Sequence, residues 1–304
     1  MEVLTSLFTI LIIVLLGVLS RRFGTFKAEH AKTISSFVYY FGLPTLFFVK
    51  ISTLDILNLD LDLVVGSLLP TVLLLALLLV LYKINVLKKD SFILLGLSIS
   101  FGSYAFFGVA FFETFQDGRW LETSILAASL LGVLGIVSTV LLLEYANQKK
   151  QSGSILGMIF VTPLIISILL GALFSALKIQ VDFLNNALSL VGKTSSALAI
   201  FVLGMFIYDR FSFKFLKESL GFSLFRMVGL PLVTWLTIEF IIPGRGELYQ
   251  FLMLENSMPA AIALVVFAER YEYKVTETAG IVSLTSIFSF IGLTAVFYLT
   301  QFIF

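Results

Sequence analysis

The chain has no cysteine and a single histidine. Disulfides and thiolate metal sites are therefore excluded, and cysteine usage says nothing about redox compartment. His30 stands among Lys27, Glu29 and Lys32 and reads as a solvated loop residue. Charge is scarce as well: 13% of the 304 residues carry one and the formal net charge is +1, which suggests no nucleic-acid partner. A Gly-rich phosphate loop is missing, which argues against ATP-driven pumping by this chain. Tyr208-Asp209 has no Gly-x-Gly-Asp partner, and no Gly-x-Ser-Gly accompanies an intramembrane histidine, so an enzyme is not expected. The first apolar run, Val3 to Ser20, follows Glu2 instead of a basic stretch and has no small-x-small cleavage pattern behind it. It is expected to be a retained span, not a signal peptide.

What is abundant is apolar surface. Hydrophobic residues make up 59% of the chain and mean hydropathy is +1.05, more than one soluble core can hide. An all-α membrane protein follows, with spans predicted over 3–20, 33–51, 63–82, 92–113, 122–143, 155–177, 186–208, 220–242, 248–268 and 279–303. Fourteen of the twenty lysines and arginines fall in the connections after the odd-numbered spans, among them Arg21, Arg22, Lys88, Lys89, Lys149 and Lys150. The opposite connections carry Asp55, Asp60, Asp62, Asp117, Glu122, Asp182 and Glu247 instead. The positive-inside rule then predicts ten crossings with both termini outside the cytoplasm.

Sliding the chain by 154 residues lays Leu15-Leu16-Gly17 on Leu169-Leu170-Gly171, Ser35 on Ser189 and Ser129 on Ser283. Two five-helix repeats are expected, 1–144 and 155–304, joined by a polar cytoplasmic linker over 145–154. Because five is odd, the second repeat enters the membrane from the opposite side, giving the inverted repeat used for alternating access.

The same offset superposes two interruptions, Phe101-Gly102-Ser103-Tyr104 in the fourth span and Glu255-Asn256-Ser257-Met258-Pro259 in the ninth. Pro259 lacks an amide hydrogen and clashes with the preceding turn, while Gly102 weakens its helix. Both breaks fall near midplane, where irregular backbone is tolerated only against protein or a water-filled cavity. Broken helices expose N–H groups that suit a small anion such as a carboxylate, with Ser103, Tyr104, Ser257 and Asn256 to orient it. Small residues and Ser/Asn bonds also simply join helices, which is the structural alternative. Glu255 is costly at a span centre and is a candidate for coupling to a proton or sodium; its alternative is pairing with Lys193 or Arg226. Gly42-Leu43-Pro44 breaks the second span, as a packing kink or as part of the site lining.

Leu16-Gly17-Val18-Leu19-Ser20-Arg21-Arg22-Phe23-Gly24, then Phe37 to Phe48 around Gly42-Leu43-Pro44, resembles the opening of the auxin efflux carrier family of permeases. Thr162-Pro163-Leu164-Ile165, Leu203-Gly204-Met205, Met258-Pro259-Ala260-Ala261 and Ala268-Glu269-Arg270-Tyr271 are similar to its later segments. The resemblance implies ten helices in two inverted repeats, the fourth and ninth broken and crossing at the substrate site. It also implies transport of organic anions such as indole acetate or dicarboxylates. The chain departs from the family at Ser103, where Asn is usual, and at Ala110, where Pro is usual. Glu255-Asn256-Ser257-Met258 is more distantly similar to the Glu-x-x-Met of bile acid sodium symporters, which places sodium at Glu255 and Met258 as an option.

The expected function is a secondary active transporter of a small organic anion in the cell membrane, working by alternating access. The alternatives are a sodium-coupled symporter of the bile acid type and a channel-like facilitator. The expected binding residues are Gly102, Ser103, Tyr104, Asn256, Ser257, Pro259 and Pro44, with Glu255 for ion coupling. No cofactor beyond a coupling Na+ or H+ is expected; the partners are the anion, the bilayer and, as an option, a second copy in a homodimer.

Overall fold

The computed structural model of the chain describes residues 2–54, 59–147, 163–210, 213–242 and 246–303. Among these, regular structure is helical throughout, apart from one isolated antiparallel bridge between Gly102 and Ala260. Seven helical stretches are long and apolar enough to cross a membrane: Leu4–Arg22, Ala28–Thr53, Leu61–Lys83, Leu121–Ala146, Asp182–Asp209, Ser219–Ile241 and Val275–Phe302. The other predicted spans correspond to shorter helices. Two are interrupted, and one is described only from Pro163 to Ala176. The predicted linker overlaps the end of a helix that runs to Asn147, and its residues 148–154 lie outside those described.

The chain divides into two compact units that interleave in sequence. The first comprises residues 1–60, 105–129 and 154–209. It holds α1 (Glu2–Arg22), α2 (Ala28–Phe37), α3 (Leu43–Thr53), α6 (Val109–Thr114), α8 (Pro163–Ala176), α9 (Asp182–Gly192) and α10 (Ser195–Arg210). In a bilayer, helices gain little from hiding apolar surface, so close packing at small residues holds them together. Gly17 of α1 and Gly204 of α10 show this directly. A Cβ on Gly17 would lie 2.1 Å from the Phe201 carbonyl oxygen, and one on Gly204 2.0 Å from that of Val14. At the ends of the same two helices Arg21 grips Asp209 through Nε and Nη2, at 2.9 and 2.6 Å, and donates Nη1 to Phe26 O.

The second unit comprises residues 61–104, 130–153 and 210–304. It holds α4 (Leu61–Lys83), α5 (Lys89–Ser100), the greater part of α7 (Leu121–Asn147), α11 (Phe213–Leu224), α12 (Leu230–Ile241), α13 (Glu247–Glu255), α14 (Ala263–Arg270) and α15 (Val275–Ile303). Wide π-type turns precede two helices that carry Pro in their first turn: Val38–Gly42 before Pro44, and Phe225–Gly229 before Pro231. Proline offers no N–H to the preceding turn, and a locally widened turn accommodates the lost bond. A third π-type turn, Tyr104–Gly108, follows the first interruption and joins the two units along the chain.

Candidate functional site

Helix α5 stops at Ser100, and Phe101 is extended at φ −129°, ψ 102°. Helix α13 stops at Glu255, and α-helical structure resumes only at Ala263. The two irregular segments lie side by side in the second unit. Ser103 N donates to Pro259 O at 2.7 Å and Ala261 N donates to Phe101 O at 2.9 Å, so Phe101–Ser103 and Pro259–Ala261 form a two-bond antiparallel pair. Backbone that has left a helix inside a membrane must find partners or lose several kcal/mol per group. Each segment here supplies them to the other. Ala260 N finds a third acceptor in Thr285 Oγ1 of α15, at 3.1 Å.

The segments are enclosed apart from Phe101 and Ile262, which are half-buried. Every residue from Phe251 to Ala261 is buried, as are Gly102, Ser103 and Tyr104. Burial of Glu255 is complete, at 0% exposure, and that of Arg226 nearly so, at 1%. Arg226 projects from the π-type turn that joins α11 to α12. Its Nε and Nη2 both donate to Met258 O, at 3.1 and 2.8 Å, and its Nη1 donates to Ser98 O and Ile99 O. The latter two are among the last carbonyls of α5, which have no acceptors' role left within the helix and carry its negative partial charge. One guanidinium thus ties the end of one broken helix to the irregular segment of the other, matching a fixed positive charge to the carbonyl dipoles.

Gly102 is required by this packing. A Cβ at that position would sit 2.4 Å from Arg226 Nη2 and 2.4 Å from the Tyr104 ring. The sequence reading treated Gly102 as a helix-weakening residue; the geometry adds that no side chain fits between the arginine and the tyrosine.

Asn256 is held by α4. Its Nδ2 donates to Gly66 O at 3.1 Å and to Leu252 O at 3.1 Å. Gly66 lies four residues before Pro70, and Pro70 has no N–H to return to that carbonyl. The Asn256 amide fills the bond that the proline leaves open. The Asn256 Oδ1 and Ser67 Oγ are buried oxygens that no hydrogen bond engages among the described residues. Ser257 turns its hydroxyl back to Met253 O at 2.6 Å.

Of the sequence-predicted residues, Gly102, Ser103, Tyr104, Glu255, Asn256, Ser257, Met258 and Pro259 are thus gathered in the second unit. Pro44 belongs to the first unit, half-buried at the second position of α3. Lys193 also belongs to the first unit, exposed at the turn between α9 and α10. The sequence reading gave no role to Gly66, Ser67, Pro70 and Thr71 on α4, or to Thr285 on α15. A polar pair flanking a proline within an apolar span is the same kind of signal that singled out Glu255.

A model of the family described as membrane transport protein matches residues 2–298. The chain belongs to this family, that of the auxin efflux carriers. An uncharacterized transporter of Methanocaldococcus jannaschii is 28% identical to it over 295 residues, which cover 92% of this chain and 93% of that protein. Both descriptions name transport. With its apolar helices, this auxin efflux carrier family member is an integral, multi-pass membrane protein.

Proposed function

We propose that this chain is a secondary transporter that moves a small organic anion, a carboxylate, across the cell membrane by alternating access, and that the paired breaks at Gly102–Tyr104 and Glu255–Pro259 hold the substrate. One observation carries the reading: two interrupted helices expose polar backbone to each other inside a membrane-spanning unit, around a buried arginine, a buried carboxylate and unengaged oxygens. Such an arrangement is costly to maintain and is the kind found where transporters bind solutes near midplane. Arg226 offsets the carbonyl ends of both breaks, which leaves the N–H groups where helix resumes, after Ser103 and after Ala261, to face an anion.

In this proposal the ten predicted crossings form two inverted repeats with both termini outside the cytoplasm. The make-up of the units supports it. Spans one, two, six and seven contribute to the first and spans three, eight, nine and ten to the second, with spans four and five divided between the units, so each unit draws corresponding members from both halves. Glu255 takes the coupling role, accepting a proton or, with oxygens such as Asn256 Oδ1, a sodium ion.

The test is transport in proteoliposomes. Saturable carboxylate uptake is expected, driven by a proton or a sodium gradient, with Glu255→Gln removing the gradient dependence. Gradient dependence that survives Glu255→Gln rules out the coupling role, and single-channel currents in place of saturable flux rule out alternating access.

A further inference from the structure

Helices α5 and α13 both stop inside the second unit at their C-termini, and a helix C-terminus carries negative partial charge. At α5, Arg226 meets that charge on Ser98 O and Ile99 O; past α13 it reaches Met258 O, beyond the last helical turn. The end of α13 itself carries Glu255, a fully buried carboxylate placed where a helix least favours one. Oxygens gather around this end. Asn256 Nδ2 is spent on Gly66 O and Leu252 O, which lays the amide against α4 and leaves its Oδ1 unengaged among the described residues. Ser67 and Thr71 lie on that same stretch of α4, ~6 Å apart along its buried face, and neither hydroxyl has a hydrogen bond among the described residues. A helical hydroxyl has a ready acceptor in the carbonyl four residues back, and Thr234, Thr285 and Ser286 of the same unit use it. Ser67 and Thr71 do not. The buried Tyr104 hydroxyl adjoins Thr71 and Arg226 without closing a hydrogen bond to either, and it lies within the electrostatic reach of Glu255.

We infer that these oxygens form a sodium site, with Ser67 Oγ, Thr71 Oγ1, Asn256 Oδ1 and the Tyr104 hydroxyl as neutral ligands and Glu255 as the charged one. Every donor is a hard oxygen, which suits a hard cation and not a soft metal. One carboxylate balances one positive charge, and a divalent ion would leave an excess charge in a medium that screens it poorly. A water molecule would answer the hydroxyls but brings no charge to the negative end of α13. All five residues are at most 1% exposed, an enclosure that favours the smaller of the common alkali cations. The inference deepens the coupling role proposed for Glu255 and rests on that reading: it chooses sodium over the proton and brings α4 into the site.

The experiment uses the full chain in detergent, titrated with sodium chloride or potassium chloride against choline chloride at constant chloride, and reads melting temperature and the binding of radioactive sodium. Sodium should raise the melting temperature saturably, and potassium should not. Ser67→Ala and Thr71→Val should each weaken sodium binding about tenfold yet melt in choline as the wild type does, because removing a hydroxyl that bonds nothing leaves no partner bare. A wild type that melts alike in sodium and in choline, or responds equally to potassium, overturns the site. Sodium affinity unchanged in both α4 variants overturns it as well, and a lower melting temperature in choline would then give the hydroxyls a packing role. Carboxylate uptake on a proton gradient with no sodium binding overturns this inference and leaves the proposed function standing; sodium binding with no carboxylate uptake does the reverse.

Discussion

The side-chain amide of Asn256 donates to the carbonyl of Gly66 at 3.1 Å, the carbonyl that Pro70 leaves without its helical partner. A break in one helix is thereby satisfied by a residue from the break in another. Asn256→Ala leaves a buried carbonyl open and should cost about 1–3 kcal/mol. Pro70→Ala restores an N–H four residues on, so the same substitution in that background should cost measurably less. A double-mutant cycle by chemical denaturation reads the coupling; strictly additive effects would show that the two residues do not share the carbonyl.

Gly102→Ala forces a methyl group to within 2.4 Å of both Arg226 Nη2 and the Tyr104 ring. Overpacking of this kind costs about 1–3 kcal/mol, and the melting temperature in detergent should fall accordingly. A variant as stable as the wild type would mean that the arginine and tyrosine have room to part.

Arg226 engages three backbone carbonyls, on α5 and on the segment after α13. Arg226→Lys keeps the charge but loses the fork geometry, so it should restore less than half of the stability lost in Arg226→Gln. Lysine performing as well as arginine would point to charge alone as the requirement.

The turn between α14 and α15 lies outside the spanning segments and carries a pH-sensitive clasp. Tyr273 donates to Asp90 at 3.0 Å, and Lys274 lies 3.5 Å from Asp90 and 3.3 Å from Glu277. Burial, and then the bond to Asp90, push the Tyr273 hydroxyl above its ordinary 10.0, while the bond to Glu277 raises Lys274 above 10.5. Both groups hold protons more tightly when folded, so the clasp contributes fully below about pH 10 and is lost as pH climbs beyond it. Lys274 is exposed and contributes the smaller part. Melting temperature should be flat to about pH 10 and then fall, more steeply in the wild type than in Asp90→Asn. Equal slopes would remove the clasp from the account.

These relationships differ in how far they could be read in advance. Gly102 and Pro259 carry their meaning locally: one lacks a side chain, the other an amide hydrogen, and each marks a break within an apolar run. Long apolar runs likewise announce helices without reference to the rest of the chain. The partner of each freed backbone group is a tertiary matter. Nothing near Gly66 in sequence says that an asparagine 190 residues away completes its bond, and nothing near Arg226 says that its donors go to Ser98, Ile99 and Met258. The sequence offered Arg226 as a partner for Glu255; the geometry gives it carbonyls to hold. Pro44 stays open between a packing kink and site lining, because proline announces a kink without saying what the kink serves.

The central claim, that the paired breaks form the substrate site, is tested most directly with a single reporter thiol, since the chain has no cysteine of its own. Ser103→Cys in proteoliposomes is exposed to a membrane-impermeant maleimide, with and without a saturating concentration of a transported carboxylate. The account predicts labelling from an aqueous side that the carboxylate slows at least tenfold. Labelling at the same rate with and without the carboxylate, for a variant that still transports it, would contradict the account.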